Sequence, residues 1–333
     1  SPTPTPTPRP ATTPTPAEVL LSVDFNAASV EEMGLLHAAA TGFEPAPIRL
    51  GDVPGGVSDD KRGLIFDAAP GEGTLAILST PASVGDGLAL ISVYAGADRA
   101  DCSVALAALN SPIDGQLGYT VSGGADVPMG EWRRLLLLYD PPNNALLPAL
   151  QVSVPESAPE QATVFFENLT VSKISGLNTV DLSLDINGSF DEDTDGILRN
   201  VNGNSGSVQV LTDFGGKNIA LSIAETDDAA NIGVFASQLQ GGFPHLLLSS
   251  VDAQRYSGSG GVTALVMTNG YGNVGVFVNN AHLSDMETIT IGGGFKAENP
   301  AFPVLCVVQN GGPGATSTVV IDNLKIGRIP GGL

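Results

Sequence analysis

Short hydrophobic runs, separated by glycine, proline, asparagine and aspartate, follow one another along most of the chain. In many of them hydrophobic and polar side chains alternate, as in residues 19–25 (VLLSVDF). A period of two predicts a strand with one face in a core, and turn residues at this frequency are typical of a β-sandwich. The first half has predicted strands at 19–25, 63–66, 74–78, 88–94, 103–109, 117–121, 133–139, 150–154 and 163–174. The second half has them at 180–186, 207–211, 219–223, 232–235, 245–251, 261–267, 273–278, 288–291, 302–308 and 318–329. Residues 30–40 alone have a helix-like composition, and because no stop signal follows them, helix and loop are both open.

The chain contains an internal repeat. Residues 162–176 (ATVFFENLTVSKISG) return as 317–331 (STVVIDNLKIGRIPG), and the opening strand 19–25 returns as 180–186. Self-similarity at this spacing indicates a duplicated unit of about 150 residues, a size that buries a core of its own. We therefore predict an all-β protein of two tandem jelly-roll-like β-sandwich domains, at residues 18–176 and 177–333, with a short, stiff link at 175–178.

An extended arm is predicted ahead of the two modules. Residues 1–17 are almost entirely proline and threonine. Proline fixes φ and keeps the preceding residue extended, so this Pro/Thr-rich N-terminal arm is expected to form a polyproline II segment. Such segments in secreted proteins are often O-glycosylated on threonine. The candidate acceptors are Thr3, Thr5, Thr7, Thr12, Thr13 and Thr15.

Charge narrows the range of partners. The 333 residues include 14 Lys and Arg against 35 Asp and Glu, a formal charge of −21. Nucleic acid and anionic membrane surfaces would repel so acidic a protein. The mean hydropathy of +0.18 is high, yet no apolar run approaches the ~20 residues that span a bilayer, so no membrane insertion is expected. Two explanations of the hydropathy remain open: a β core rich in small apolar residues, or apolar surface covered by neighbouring subunits.

The two cysteines, Cys102 and Cys306, fall in apolar runs at positions that do not correspond between the modules. Buried free thiols and a bridge between the modules are both open, because sequence spacing does not fix disulfide geometry.

One acidic turn has the spacing of a calcium loop. Residues 191–196 read DEDTDG and place Asp191, Asp193 and Asp195 at alternate positions before a glycine. Carboxylates at this spacing converge on one hard cation. Asn202 stands where an EF-hand has glutamate, so the alternatives are an isolated calcium loop and a solvated acidic turn.

Two sequons permit N-glycosylation, at Asn168 and Asn187. Asn187 is predicted to lie in a turn. Asn168 lies in the repeated closing strand, and its counterpart Asn323 has Lys325 where a sequon needs serine or threonine. A shared structural role therefore explains this asparagine better than a glycan does.

No signature of catalysis is present. The three histidines, His37, His245 and His282, are dispersed, and the nucleophile-elbow and zinc-helix motifs of hydrolases are absent. We therefore predict that the protein is not an enzyme.

The opening strands VDFN and LDIN and the closing strands FFENLTV and VIDNLKI resemble the first and last strands of secreted carbohydrate-binding-module-like jelly rolls. The resemblance implies a structural calcium held by Asp24 with Glu167 and by Asp185 with Asp322. It also implies glycan binding on exposed aromatic faces. The chain has one tryptophan, Trp132, which is expected to pack in the core, and tyrosines that do not cluster in sequence, chiefly Tyr94, Tyr119, Tyr256 and Tyr271.

Two functions follow as hypotheses. The first is a structural subunit of an extracellular or cell-surface filament, secreted after removal of a signal peptide. It would assemble as a homopolymer by head-to-tail contacts, with the arm on a neighbouring subunit. The alternative is a tandem carbohydrate-binding protein tethered by its Pro/Thr linker.

Overall fold

The structure, a computed structural model, describes twenty-two strands and the loops between most of them. The described residues are 18–110, 117–123, 127, 129–141, 143–174, 198–201, 206–214, 217–225, 231–242, 244–258, 261–268, 273–279, 283, 285–296, 298–308 and 317–328. Several predictions of the sequence lie outside them: the arm with its threonines, the link at 175–178, Asp185, Asn187 and the acidic turn of Asp191, Asp193 and Asp195.

The first repeat supplies strands β1 to β12. They are β1 Glu18–Val23, β2 Leu35–Ala39, β3 Ile48–Asp52, β4 Arg62–Ala68, β5 Gly73–Leu78, β6 Ala82–Ser83, β7 Leu88–Ala97, β8 Ser103–Asn110, β9 Leu117–Gly123, β10 Trp132–Tyr139, β11 Ala145–Ser153 and β12 Ala162–Ile174. The second repeat supplies β13 Leu198–Val201, β14 Gly206–Phe214, β15 Lys217–Glu225, β16 Asn231–Phe235, β17 Pro244–Ser257, β18 Gly261–Thr268, β19 Asn273–Asn279, β20 Glu287–Lys296, β21 Ala301–Val308 and β22 Ser317–Arg328. The predicted all-β class is confirmed.

Residues 30–40 are not helical. The chain turns at residues 29–34 and then forms β2, which pairs antiparallel with β5. The backbone amide of Met33 still donates to the carbonyl of Ser29, at 3.2 Å, so a single helical turn begins there. The hydrogen bonds that β5 offers then replace any further helix, which shows tertiary pairing overriding the local preference of an alanine-rich segment.

The strands form two antiparallel sheets packed face to face. One sheet has the order β14-β15-β22-β17-β20-β10-β7-β12-β4-β3, with β1 added on β12, and the other has β13-β16-β21-β18-β19-β9-β8-β11-β5-β2, with β6 on β11. Phe66 of β4, Phe166 of β12, Leu106 of β8 and Leu150 of β11 lie fully buried between the sheets. Sandwich packing of this kind buries alternate side chains of every strand.

Each sheet contains five strands from repeat 1 and the five equivalent strands from repeat 2, and the two sets are arranged in mirror order about the middle of the sheet. Strand β3 corresponds to β14, β4 to β15, β12 to β22, β7 to β17 and β10 to β20; the other sheet repeats the pattern. The two repeats meet where β10 pairs with β20 and β9 with β19. The repeats therefore share both sheets, a continuity that the sequence did not predict.

The junction has the register of a local twofold axis. Leu138 of β10 pairs with Leu90 of β7, and Gly292 of β20 pairs with Leu248 of β17, which is the position equivalent to Leu90. Leu138 and Gly292 thus hold equivalent places, and they pair with each other. On the outer face of this sheet, leucines of both repeats pack into one buried cluster across the junction. They are Leu88, Leu136, Leu138, Leu246 and Leu248.

The repeated asparagines occupy equivalent bulges in the closing strands. Asn168 has φ of 50° and Asn323 has φ of 49°. In each strand the asparagine and the following leucine together face one residue of the neighbouring strand, Val93 or Val251. A bulge of this type needs a left-handed residue, and asparagine adopts that conformation more readily than other residues that have a Cβ. Glycosylation at Asn168 stays a prediction.

Replacing Asn168 by valine is expected to cost about 1–2 kcal/mol of unfolding free energy, because a β-branched residue is strained in the left-handed region. Replacing it by glycine should be close to neutral. Denaturant titration of both variants measures the difference, and equal midpoints for valine and glycine would show that the bulge does not require this conformation.

Candidate functional site

A row of five residues crosses the outer face of one sheet in repeat 1. Arg49, Ile65, Phe165, Gly96 and Trp132 belong to the adjacent strands β3, β4, β12, β7 and β10, and each is paired with the next. Their chain neighbours on the other face, among them Phe166 and Ala95, lie in the core. The row therefore faces away from the core.

Two aromatic rings form the floor of this surface. The ring centroids of Trp132 and Phe165 are 6.4 Å apart, with their planes inclined by 38°. Both side chains are partly exposed. Gly96 lies beneath the indole, and a Cβ there would come within 3.3 Å of the Trp132 Cδ2 and Cε2 atoms. The missing side chain lets the indole lie flat on the sheet. The expectation that Trp132 packs in the core was wrong.

Polar side chains and one exposed methionine surround the aromatic floor and enclose a groove of about 660 Å³. The carboxylates of Asp52, Asp98 and Glu131 line it together with the Arg49 guanidinium. Asp98 is fixed by the Thr163 backbone amide, which donates to its Oδ1 at 2.6 Å. A groove with apolar ring faces below and oriented hydrogen-bonding groups at the rim has the chemistry of a site for a polar ligand with flat apolar faces.

The next row of the same face contains the buried acid Glu167. It pairs with Tyr94 of β7, and Gly63 of β4 lies beside its side chain, where a Cβ would come within 3.3 Å of Glu167 Cγ. The Arg134 guanidinium lies 5.9 Å from the centre of the Tyr94 ring. Glu167 is fully buried because loop 53–61, between β3 and β4, folds over it. Among the predicted tyrosines, only Tyr94 is thus seen beside the groove. Tyr256 is exposed in repeat 2, while Tyr271 and the side chain of Tyr119 lie outside the described residues.

Asp60 fixes the far end of the loop. The amide of Arg62 donates to its Oδ1 at 3.2 Å. This bond, and further hydrogen bonds from the Asn26 and Ser58 side chains, lower the pKa of the Asp60 carboxyl. The folded-state pKa lies below the unfolded value, so the contribution of Asp60 is fully present above the unfolded pKa and is lost as the pH falls through the folded pKa.

Acidification is therefore expected to loosen loop 53–61 below about pH 4, the usual range of an aspartate. Trp132 is the one tryptophan of the chain and touches this loop, so its emission should report the change. The Asp60→Asn variant should lose this transition. An acid transition of unchanged midpoint in that variant would assign it to other groups.

Of the two predicted calcium ligands in repeat 1, Glu167 is buried and Asp24 is exposed. Glu167 Oε1 is buried without a hydrogen-bond partner, and a carboxylate oxygen is the kind of ligand that calcium prefers. Asp24 is exposed, with its Oδ1 accepting the Asn26 amide at 3.3 Å. Among the described residues, no group of three or more His, Cys, Asp or Glu is placed so that it could hold a metal ion. A calcium at Glu167 fits its orphaned oxygen and stays a prediction.

In repeat 2 only Asp322 of the predicted pair can be placed. It is 4% exposed, and its Oδ1 accepts the Asn323 amide at 2.8 Å. At the positions equivalent to Gly96 and Phe165 this repeat has Gln254 and Val320. Val320 is only 1% exposed, so an aromatic floor like that of repeat 1 is not formed there.

His245 and the two cysteines have structural surroundings, whereas His37 is exposed on β2 and His282 lies outside the described residues. The His245 ring stacks on Phe295, with centroids 5.2 Å apart, and its Nε2 lies 3.0 Å from the Gln240 carbonyl oxygen. Cys102 and Cys306 are buried, and neither forms a disulfide. Burial raises the pKa of Cys102 to about 11, so the thiol stays protonated and unreactive at neutral pH. No helix in the described part of the chain is long and apolar enough to span a bilayer.

Neither a family model nor a curated protein matches this chain. Solved structures do, and they include carbohydrate-binding modules. The tandem CBM22-1–CBM22-2 domain of Paenibacillus barcinonensis Xyn10C is 14% identical over 95% of this chain and all of its own, with a TM-score of 0.33. The CBM22-2 xylan-binding domain of the same protein, solved alone, is 12% identical over 46% of this chain and 99% of its own, with a TM-score of 0.32. TmCBM61, solved with β-1,4-galactotriose, is 13% identical over 42% of this chain and 91% of its own, with a TM-score of 0.27. These likenesses are too distant to assign a ligand to this chain.

Proposed function

We propose that the protein is a non-catalytic carbohydrate-binding protein and that the groove over Trp132 and Phe165 holds the glycan. The observation that carries this proposal is the placement of the two rings side by side on an open sheet face, with carboxylates at the rim. The apolar faces of pyranose rings stack on such aromatics, and carboxylates accept hydrogen bonds from sugar hydroxyls.

The charges at the groove favour a neutral polysaccharide over a uronate polymer. Three carboxylates, Asp52, Asp98 and Glu131, line the groove against one guanidinium, that of Arg49. Arg49 is already paired, since its Nε lies 2.8 Å from Asp67 Oδ2. An anionic sugar would therefore meet an excess of negative charge on a protein whose net charge is −21.

Native gels that contain neutral xylan, neutral galactan or polygalacturonate test this proposal. Migration of the protein should be retarded by at least one neutral polymer and not by polygalacturonate. Titration of the same polymers against the emission of Trp132 adds a signal from the groove itself. Unretarded migration in every neutral polymer, with unchanged emission, would remove carbohydrate binding from consideration.

A second candidate is the extracellular filament subunit. Its support is the junction between the repeats, where antiparallel edge pairing of β10 with β20 joins two sandwiches. In the described part of the chain, β3 and β14 end one sheet and β2 and β13 end the other, so the same pairing chemistry is available to another copy. Electron microscopy of the full chain tests it. Only dispersed particles at all concentrations would contradict it.

A further inference from the structure

We infer that Glu167 is a positioning residue for the groove: its buried carboxylate fixes loop 53–61, and the loop in turn holds Trp132 in place. The consequence for glycan affinity rests on the proposed function, whereas the effect on Trp132 does not.

The first step is the contact between the carboxylate and the loop. Glu167 Oε2 accepts the backbone amides of Val57 at 2.6 Å and of Ser58 at 2.9 Å. Bonds from two amides to one charged oxygen are short and about twice as strong as neutral ones. The loop approaches so closely that a Cβ at Gly56 would overlap Glu167 Oε1. Loop 53–61 is therefore fixed to the sheet at its middle.

The second step runs from the loop to the indole. Trp132 Nε1 donates to the Pro54 carbonyl oxygen at 3.3 Å, and a Cβ at Gly55 would lie 3.7 Å from the same nitrogen. Pro54 and Gly55 also line the groove. Only two residues separate Pro54 from the amide of Val57 that Glu167 binds, so the anchor and the wall of the groove are parts of one short segment.

Repeat 2 supplies an independent comparison. Its equivalent acid is the shorter Asp322, and its strands β14 and β15 are joined by two residues, since β14 ends at Phe214 and β15 begins at Lys217. In repeat 1 nine residues stand at this place. The long loop, the longer acid and the tryptophan thus occur together in repeat 1 and not in repeat 2. This is expected if the acid fixes the loop and the loop positions the tryptophan.

The test compares three variants of the full chain by acrylamide quenching of Trp132. Glu167→Ala leaves two amides without an acceptor, and Gly56→Ala displaces the loop without altering the strand or the charge. Both should raise the quenching constant about twofold, because local opening exposes the indole. Glu167→Gln retains one acceptor oxygen and should stay near the parent value. Gly261→Ala is the matched control, since a Cβ there meets nothing within 4 Å.

Glycan affinity is measured on the same variants. It should fall about tenfold for Glu167→Ala and Gly56→Ala, a change that corresponds to about 1.4 kcal/mol. If quenching rises but the parent protein binds no glycan, the positioning role stands and the proposed function fails. If Gly56→Ala, which keeps every strand residue, leaves quenching unchanged, the inference is overturned whatever the glycans do.

Discussion

Replacing Trp132 by alanine is expected to lower the affinity for a neutral polysaccharide by at least about 30-fold, the effect of truncating a central aromatic anchor that contributes about 2 kcal/mol. The change removes the larger ring of the floor and leaves Phe165 alone above the sheet. The Pro54 carbonyl would also lose the hydrogen bond that the indole donates. Isothermal titration with a soluble oligosaccharide of whichever polymer retards the protein measures the loss.

The control for this variant lies in repeat 2. Tyr256 is 68% exposed and far along the chain from the groove, so Tyr256→Ala should keep the parent affinity. Trp132→Phe restores a smaller ring and should recover part of the loss. If Tyr256→Ala loses as much affinity as Trp132→Ala, the aromatic floor of Trp132 and Phe165 is not the binding surface.

Replacing Gly293 by alanine is expected to cost about 3 kcal/mol of unfolding free energy, near the upper end for overpacking. Gly293 pairs with Leu137 across the junction, and a Cβ at this position would overlap both the Leu136 carbonyl oxygen and the ring of Phe277. Phe277 is 1% exposed and cannot move outward. The backbone of β10 would have to retreat, which breaks the pairing between the repeats.

Denaturant unfolding of Gly293→Ala measures this cost, with Gly261→Ala as the matched control. Both glycines lie in strands of repeat 2 without a positive φ, and they differ in the space around a new methyl group. The control should change stability by less than about 0.5 kcal/mol. Equal midpoints for the two variants would show that the junction tolerates a side chain at Gly293.

The strands were predicted from turn residues and from the alternation of hydrophobic and polar side chains. The same alternation was sufficient to predict which residues form the floor of the groove. Leu135 and Leu137 face the core, so Trp132, at odd spacing from both, has to face the other way. Phe165 stands between the core residues Val164 and Phe166 and follows the same rule. Face assignment along β10 and β12 would have placed both rings outside. The low number of aromatics favoured a core position instead, which was the wrong criterion.

Other features had no local signal. Strand β3 was missed because only two of its five residues are hydrophobic, and β2 because residues 30–40 have a helix-like composition. Pairing with β4 and β5 decides their conformation. The anchor at Glu167 depends on an acid and a loop about 110 residues apart in sequence, as the bond to Val57 shows. The shared sheets depend on β10 meeting β20, and pairing between remote strands is set by the whole fold.

The local twofold axis between the repeats has a consequence for the origin of the chain. Isologous pairing of equivalent edges is how two identical subunits form a closed dimer. A chain that pairs its own halves in this way has the architecture of a homodimer fused into a single polypeptide. Fusion frees the halves from being identical, since a substitution is no longer imposed on both sides of the axis. One half could then acquire a tryptophan and a long loop, while the paired strands of both halves kept the interface.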